Sequence, residues 1–438
     1  MPRSHRGKFM PVIVVIGGQW GDEGKGRTID LLAQNASIVA RYSAGNNAGH
    51  TVVNDMGTFR LHLVPAGIFY GDKTCVIGNG VVIDPPVLLE EIEELQSKGV
   101  SVKSLYVSDR CHIIMPYHVL IDHADEELRG PAAIGTTFRG VGPAFVDKVG
   151  RIGIRMVDLI SPDAFRERLS MVLPYKNAVL QKLYGLEPLD FDEVYKAYHD
   201  YGRRLAPFVA DTAMMVQEAL ARGETVLLEG AQGSLLDLDA GTYEYVTSSV
   251  PSSTASGAGL GIGIGPTQIT RVVAVYKAYQ TRVGNGPMPT ELKGDLGVEL
   301  REKGQEYGTT TGRPRRCGWF DAVAARYTAR LNGLSGAVIT RLDVLDTFPS
   351  VKVCTAYQVN GMPVDRFPAS LGRLACCEPI FEELPGWQEP TTHIRRFEDL
   401  PRHAREYVKR LEQLIGVPVA LVSVGPEREQ AIIVKPIL

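Results

Sequence analysis

Hydrophobic positions along this chain follow two periods, and the way they alternate sets the expected architecture. Short apolar runs occur at residues 12–16 (VIVVI), 37–42, 74–77, 105–107, 226–228, 272–278, 337–339 and 419–424. Runs of this length, rich in β-branched residues and bounded by glycine or polar positions, predict strands buried on both faces. Residues 59–64 and 351–359 predict further strands. Apolar positions three and four apart predict helices over 87–95, 117–128, 320–331 and 402–415, with a short helix closing over 299–304. Most of 162–222 has the same period, and we read a helical excursion over roughly 86–222. Two stretches read as loops. One is 130–153, rich in Gly, Thr and Arg; the other is 247–265, rich in Ser and Gly.

Strands alternating with helices predict an α/β fold: a large, mixed, mostly parallel central sheet with helices on both faces. We find no repeat and no Pro/Ser-rich linker, so the expectation is a single large domain over 1–438 with a flexible tail at 1–10.

The first strand runs into Gly17-Gly18-Gln19-Trp20-Gly21-Asp22-Glu23-Gly24-Lys25-Gly26-Arg27, and a helical pattern follows. Strand, glycine loop and helix N-terminus together turn backbone N–H groups toward a phosphate. The loop is P-loop-like, but it departs from G-x-x-x-x-G-K-[ST] at both ends, with Gln19 first and Gly26 last. The missing hydroxyl normally holds Mg²⁺. Asp22 lies inside the loop, and we expect its carboxylate to take over metal contact and to accept a proton.

Composition narrows the class. Of 438 residues 44% are hydrophobic, enough for a large core, and the net charge of −3 gives no general attraction to nucleic acid or anionic membrane. The six cysteines make no C-x-x-C pair, and no stretch approaches the ~18 apolar residues of a membrane span. The expectation is a soluble, cytoplasmic protein that binds neither nucleic acid nor membrane.

Three further constellations carry chemistry. The second strand ends in Gly45-Asn46-Asn47-Ala48-Gly49-His50, so His50 could share a site with Asp22; alone, it reads equally well as structural. Arg313, Arg315 and Arg316 follow Thr309-Thr310-Thr311-Gly312, an arrangement suited to a small doubly charged anion or to a solvated basic loop. Arg341-Leu342-Asp343 ends an apolar strand. A carboxylate there can accept from the ring N–H and exocyclic amine of guanine, whereas adenine would leave it unpaired. With a phosphate loop, this favours GTP over ATP. A GTP-binding switch protein of the P-loop class is the alternative, although Gly26 stands where it needs a hydroxyl. A dinucleotide-binding oxidoreductase is disfavoured, because no G-x-G-x-x-G closes the first strand.

Taken together, Gly21-Asp22-Glu23-Gly24-Lys25-Gly26, Asn47-Ala48-Gly49-His50, Gly135-Thr136-Thr137, Glu229-Gly230-Ala231-Gln232-Gly233, Tyr245-Val246-Thr247-Ser248-Ser249, the 308–316 loop and Leu342-Asp343-Val344-Leu345-Asp346 resemble adenylosuccinate synthetase. The resemblance runs in family order over nearly the whole chain. It implies a GTP-dependent ligase that joins L-aspartate to IMP through 6-phosphoryl-IMP. The products are adenylosuccinate, GDP and phosphate, in the first committed step from IMP to AMP.

The resemblance also implies roles. Asp22 is the base and His50 the acid, with Lys25 and Gln232 also catalytic. Asp22 and the Gly49 carbonyl are ligands of one Mg²⁺ per subunit. Asp22, Lys25, Asn47, Ala48, Gly49, His50, Thr137, Gln232, Thr247 and Arg313 contact IMP, and Arg151 reaches the neighbouring site of a homodimer. Gly21, Asp22, Glu23, Gly24, Lys25, Gly26, Arg27, Gly49, His50, Thr51, Arg315, Arg341, Leu342, Asp343, Ser423, Val424 and Gly425 contact GTP. Thr309, Thr310, Thr311, Gly312, Arg313, Pro314 and Arg315 form the aspartate loop. Arg27 and Arg341 stand where the family often has Lys, and Pro314 stiffens the loop. A related branch that accepts a guanine nucleotide in place of IMP lacks the loop Asp, so Asp22 argues against it.

Overall fold

The computed structural model describes residues 12–54, 56–308 and 312–437. The expected tail at 1–10 and Thr309, Thr310 and Thr311 lie outside these.

Ten strands form the central sheet. From one edge the order is Ala431–Ile433, Val419–Ser423, Gly336–Thr340, Ile269–Lys277, Val12–Gly17, Val226–Glu229, Ile38–Arg41, Thr74–Ile77, Leu105–Ser108 and Val209–Ala210. Every pairing is parallel except the last at the C-terminal edge, where Ala431–Ile433 runs antiparallel to Val419–Ser423. The sheet is therefore mixed and mostly parallel, as the alternating pattern required.

Burial on both faces explains the all-apolar strands. Successive side chains of a strand point to opposite faces. Ile13 and Val15 of the first strand pack into one core, and Val12, Val14 and Ile16 into the other. The helices Lys25–Ala33 and Pro85–Ser97 supply the first core, and Ala322–Asn332 and Arg402–Ile415 the second.

Both stretches read as loops contain helices. Val141–Gly150 lies within 130–153, and its breakers Gly142 and Pro143 fall in the first turn, where they are tolerated. Ala255–Ile262 lies within 247–265. Its glycines serve close packing: a Cβ at Gly261 would stand 2.0 Å from the Tyr42 carbonyl oxygen. The stretch 86–222 is mainly helical, and it also contributes the strands Leu105–Ser108 and Val209–Ala210 to the sheet. A small sheet of Phe320–Asp321, Ser350–Val359, Met362–Val364 and Glu378–Pro385 stands apart, and its last strand is missing from the sequence reading. Glu378–Pro385 mixes Glu and Pro with few apolar positions, so periodicity does not mark it. No helix among the described residues is long and apolar enough to cross a membrane.

The parallel strands Val12–Gly17, Ile38–Arg41, Val226–Glu229, Gly336–Thr340 and Val419–Ser423 end at one edge of the sheet. The loops that follow are 18–24, 42–49, 230–233, 341–345 and 424–427. Open α/β sheets bind ligands outside such carboxyl ends.

Candidate active site

The glycine loop is built around a carboxylate that faces inward. Glu23 is fully buried, and its Oε1 accepts from the backbone N–H groups of Gln19 at 3.0 Å and Gly21 at 2.9 Å. Lys25 Nζ donates to Glu23 Oε2 at 2.6 Å. Glu23, expected among the phosphate contacts, thus directs its side chain into the loop and shapes the cradle from beneath. Asp22 does the opposite. Its φ of 58° turns it out of the loop, and its side chain is 34% exposed. Gly24, also at positive φ, starts the helix Lys25–Ala33, whose N-terminus faces the same space. Gly233 allows the 230–233 loop to lie on this cradle. A Cβ there would meet Gln19 O at 2.2 Å and Gly21 N at 2.4 Å.

His50 opens a two-stranded hairpin, His50–Asn54 with Gly57–Leu61, rather than sitting in a glycine loop. The hairpin holds it against the helix start: a Cβ at Gly26 would lie 3.0 Å from His50 Cβ. The ring is buried, with Nδ1 paired to Glu229 Oε1. Glu229 Oε2 accepts from Ala66 N at 2.9 Å, and Arg41 Nη1 lies 3.9 Å from Oε1. Burial pushes the His50 imidazole below its usual range, and the Glu229 carboxylate pulls the other way. Burial alone would raise Glu229, but the His50 and Arg41 charges hold it below the ordinary carboxylate value. A carboxylate at Nδ1 keeps the proton there and assigns any phosphate contact to Nε2.

Beside this pair, Gln232 Nε2 donates to Asn47 Oδ1 at 3.2 Å, and Gln232 Oε1 is buried without a hydrogen-bond partner. Asn47, Gln232 and His50 are thus brought together with the glycine loop. Thr247 Oγ1 lies 3.3 Å from Ser249 Oγ in the following segment.

A cavity of about 220 Å³ opens over the start of the first helix. Gly24, Arg27, Thr51, Arg341, Ser423 and Gly425, all expected nucleotide contacts, line it, with Asp30 and Arg428 among the rest of the wall. Arg27 bonds Ser423 Oγ at 2.5 Å and the Gly425 carbonyl, closing the cavity toward the C-terminal strand. Arg341 sits at φ 63° with Nη2 on the Gly304 carbonyl. Asp343 Oδ1 is buried and has no partner. An orphaned carboxylate oxygen is costly, and a paired N–H donor from a ligand would satisfy it.

On the opposite side of the glycine loop, Arg315 Nε donates to Asp22 Oδ2 at 2.8 Å. Arg313 lies alongside the 135–137 loop; a Cβ at Gly135 would be 3.9 Å from its Nη1. That loop is held by Glu126, which accepts from the N–H groups of Ile134, Gly135 and Thr136 at 3.1, 2.7 and 3.1 Å. Arg316 turns away, to Glu291 at 2.5 Å. Arg151 stands at the exposed end of Val141–Gly150.

The adenylosuccinate synthetase family model matches residues 14–432. The chain belongs to the adenylosuccinate synthetase family. It is 53% identical over 423 residues to an adenylosuccinate synthetase of Heliobacterium modesticaldum, covering 97% of this chain and 99% of that one. It is 52% identical over 428 residues to that of Caldanaerobacter subterraneus, with 97% and 100% covered. The structure of the fully ligated adenylosuccinate synthetase from Plasmodium falciparum superposes with a TM-score of 0.91 at 36% identity, covering 97% of this chain and all of the other. A cyanophage S-2L succinoaminodeoxyadenylate synthetase shares the fold, with a TM-score of 0.61 at 22% identity and 97% and 95% covered. Members of the adenylosuccinate synthetase family are GTP-dependent ligases, and this chain is an enzyme of that class.

Two residues of this adenylosuccinate synthetase-family site escaped the sequence reading. Glu229 was quoted within a motif but given no role, although a charged residue closing the run Val226-Leu227-Leu228 is a signal. Glu306 lies in no periodic segment, and nothing in the sequence marks it as fully buried.

Proposed function

We propose that this chain joins L-aspartate to IMP at the expense of GTP, with Asp22 as base and His50 as acid. The observation that carries the assignment is the opposite orientation of two adjacent carboxylates: Glu23 is consumed inside the loop, while Asp22 stands out over the cradle, 34% exposed and paired with Arg315. Asp22 removes the N1 proton of IMP, and the six-position oxygen attacks the γ-phosphorus of GTP, expelling GDP. The amine of aspartate then adds at the six-position carbon and displaces phosphate. Phosphorylation turns a poor leaving group into a good one, dividing one hard step into two.

His50 donates through Nε2 to the phosphate bridge, and the charge of the triphosphate favours the imidazolium that this requires. Asn47, Thr137, Gln232 and Thr247 hold IMP, and Arg313 takes the carboxylates of aspartate. The nucleotide enters by the 220 Å³ cavity that Arg341 lines, and its guanine donates to Asp343 Oδ1, the unpartnered oxygen two residues on. Asp22 and the Gly49 carbonyl are hard oxygen donors of the kind that would hold one Mg²⁺. When bound, the ion neutralises charge on the transferring phosphoryl group.

The same reading makes the protein a cytoplasmic homodimer. Val146 and Val149 are 68% and 63% exposed on the helix that ends at Arg151, an apolar face suited to a second copy that would deliver Arg151 to its neighbour.

A coupled assay with IMP, aspartate, GTP and Mg²⁺ tests the assignment. GTP-dependent adenylosuccinate formation is expected, and well-folded protein that forms none would refute it. Asp22→Asn should retain nucleotide binding by calorimetry and lose turnover by at least ~10³-fold, the scale for removing a catalytic proton acceptor. Retained turnover removes the base role.

A further inference from the structure

Behind Arg315 lies a buried carboxylate with no part in the steps above. Glu306 is fully buried. Its Oε1 accepts from Lys277 Nζ at 2.8 Å and from the Tyr279 hydroxyl at 2.5 Å, and Arg341 Nη2 is 3.8 Å away. Its Oε2 accepts from Lys277 Nζ at 2.8 Å and from Arg315 Nη1 at 2.6 Å. The Glu306 main chain acts on the same arginine, because its carbonyl accepts Arg315 N at 2.8 Å.

These contacts determine where Arg315 points. The main-chain bond closes the stem of the 308–314 loop, which Gly308 N to Arg313 O at 2.8 Å continues. A guanidinium is a rigid planar fork, so fixing Nη1 on Glu306 also fixes the direction in which Nε donates. That direction is Asp22 Oδ2, at 2.8 Å. One buried carboxylate thus connects the end of the strand Ile269–Lys277, the stem of the 308–314 loop and the glycine loop. Packing alone would be served as well by apolar side chains of the same volume, since a buried ion pair is weak evidence for stability.

We propose that Glu306 is a positioning residue for the ligation: by holding Arg315 in one orientation it couples the stem formed by Glu306, Gly308, Arg313 and Arg315 to Asp22. The proposal rests on the reading that the 308–314 loop receives aspartate and that Asp22 is the base. Lys277 keeps Glu306 ionised in the interior, and Tyr279 fixes the rotation of its carboxylate.

Glu306→Gln keeps the shape and removes the charge on which the Arg315 bond depends. With circular dichroism unchanged, the expected result is an aspartate KM raised about tenfold and a kcat lowered ~10- to 100-fold, the scale of one charge-assisted hydrogen bond. The KM for IMP should stay within about twofold, and Glu306→Asp should recover part of the loss. Tyr279→Phe, a milder change, should raise the aspartate KM by about two- to threefold. Wild-type aspartate KM and kcat in folded E306Q would overturn the proposal. So would equal rises in the aspartate and IMP KM values, or an E306D variant no better than E306Q. If E306Q does not fold, an unchanged aspartate KM in Y279F overturns it. Wild-type turnover measured alongside tests the functional reading by itself, while the variant-to-wild-type ratios test the positioning.

Discussion

His50 and Glu229 show how a single side chain acquires a role. An isolated histidine could serve as core or as acid. Pairing Nδ1 with a fully buried carboxylate that is itself fixed by Ala66 N gives the ring one orientation. Glu229→Gln keeps the acceptor for Ala66 N and removes the charge that supports the imidazolium. We expect kcat to fall ~10- to 100-fold with the aspartate KM little changed, measured by steady-state kinetics. Unchanged kcat would make the pair merely structural. Gly233 is limited by space rather than charge. A Cβ at 2.2 Å from Gln19 O and 2.4 Å from Gly21 N forces backbone apart. Gly233→Ala should cost at least ~2–3 kcal/mol of stability or displace the cradle, with GDP affinity falling accordingly. Urea unfolding and calorimetry read the two effects, and wild-type values in both would contradict the clash.

Among the elements, the helix Ala322–Asn332 carries a pH-sensitive start. Asp321, fully buried, caps it by accepting Ala324 N at 3.0 Å, and it also accepts from the Tyr357 hydroxyl at 2.6 Å. Burial outweighs these bonds and pushes the carboxyl from its ordinary 3.8 to about 6. The folded protein therefore holds a proton that the unfolded chain has released. The contribution is fully present below pH ~4 and is lost as pH rises through about 6, amounting to about 3 kcal/mol. Asp321→Asn keeps an acceptor at the cap and does not ionise. It should be more stable than wild type at pH 7 by about 1–3 kcal/mol, and the difference should vanish near pH 4. Urea denaturation across this range checks it; parallel profiles for the two proteins would contradict it.

For the whole molecule, the apolar face on Val141–Gly150 and the segment 247–250 are physically joined. Lys148 Nζ donates to the Val250 carbonyl at 2.5 Å, and burial lowers its amine to about 8. The same helix exposes Val146 and Val149 and ends at Arg151, so the proposed association face and the 247–250 segment share one element. If the proposed dimer forms through this face, Val146→Glu with Val149→Glu should give a monomer in sedimentation and lower activity at least ~10-fold, since a charged patch opposes burial. Mixed inactive Arg151→Leu and Asp22→Asn subunits should recover partial activity, up to about a quarter of sites if exchange is random. Dimers that exchange subunits without recovery would refute shared sites.

By itself the sequence determined the mostly parallel sheet, because strands buried on both faces must be apolar throughout and parallel strands need helical crossovers. It also determined the glycine loop with Asp22 and most of the segments that line the 220 Å³ cavity, since glycine, charge and turn chemistry at strand ends are local signals. The helices Val141–Gly150 and Ala255–Ile262 were hidden because glycine and proline read as breakers when the partner they pack against is unknown. Only the tertiary structure decided that Glu23 turns inward, that Glu229 orients His50 and that Glu306 orients Arg315. Each depends on side chains that meet across different strands and loops, and the energy of a buried charge is set by its neighbours in space rather than along the chain.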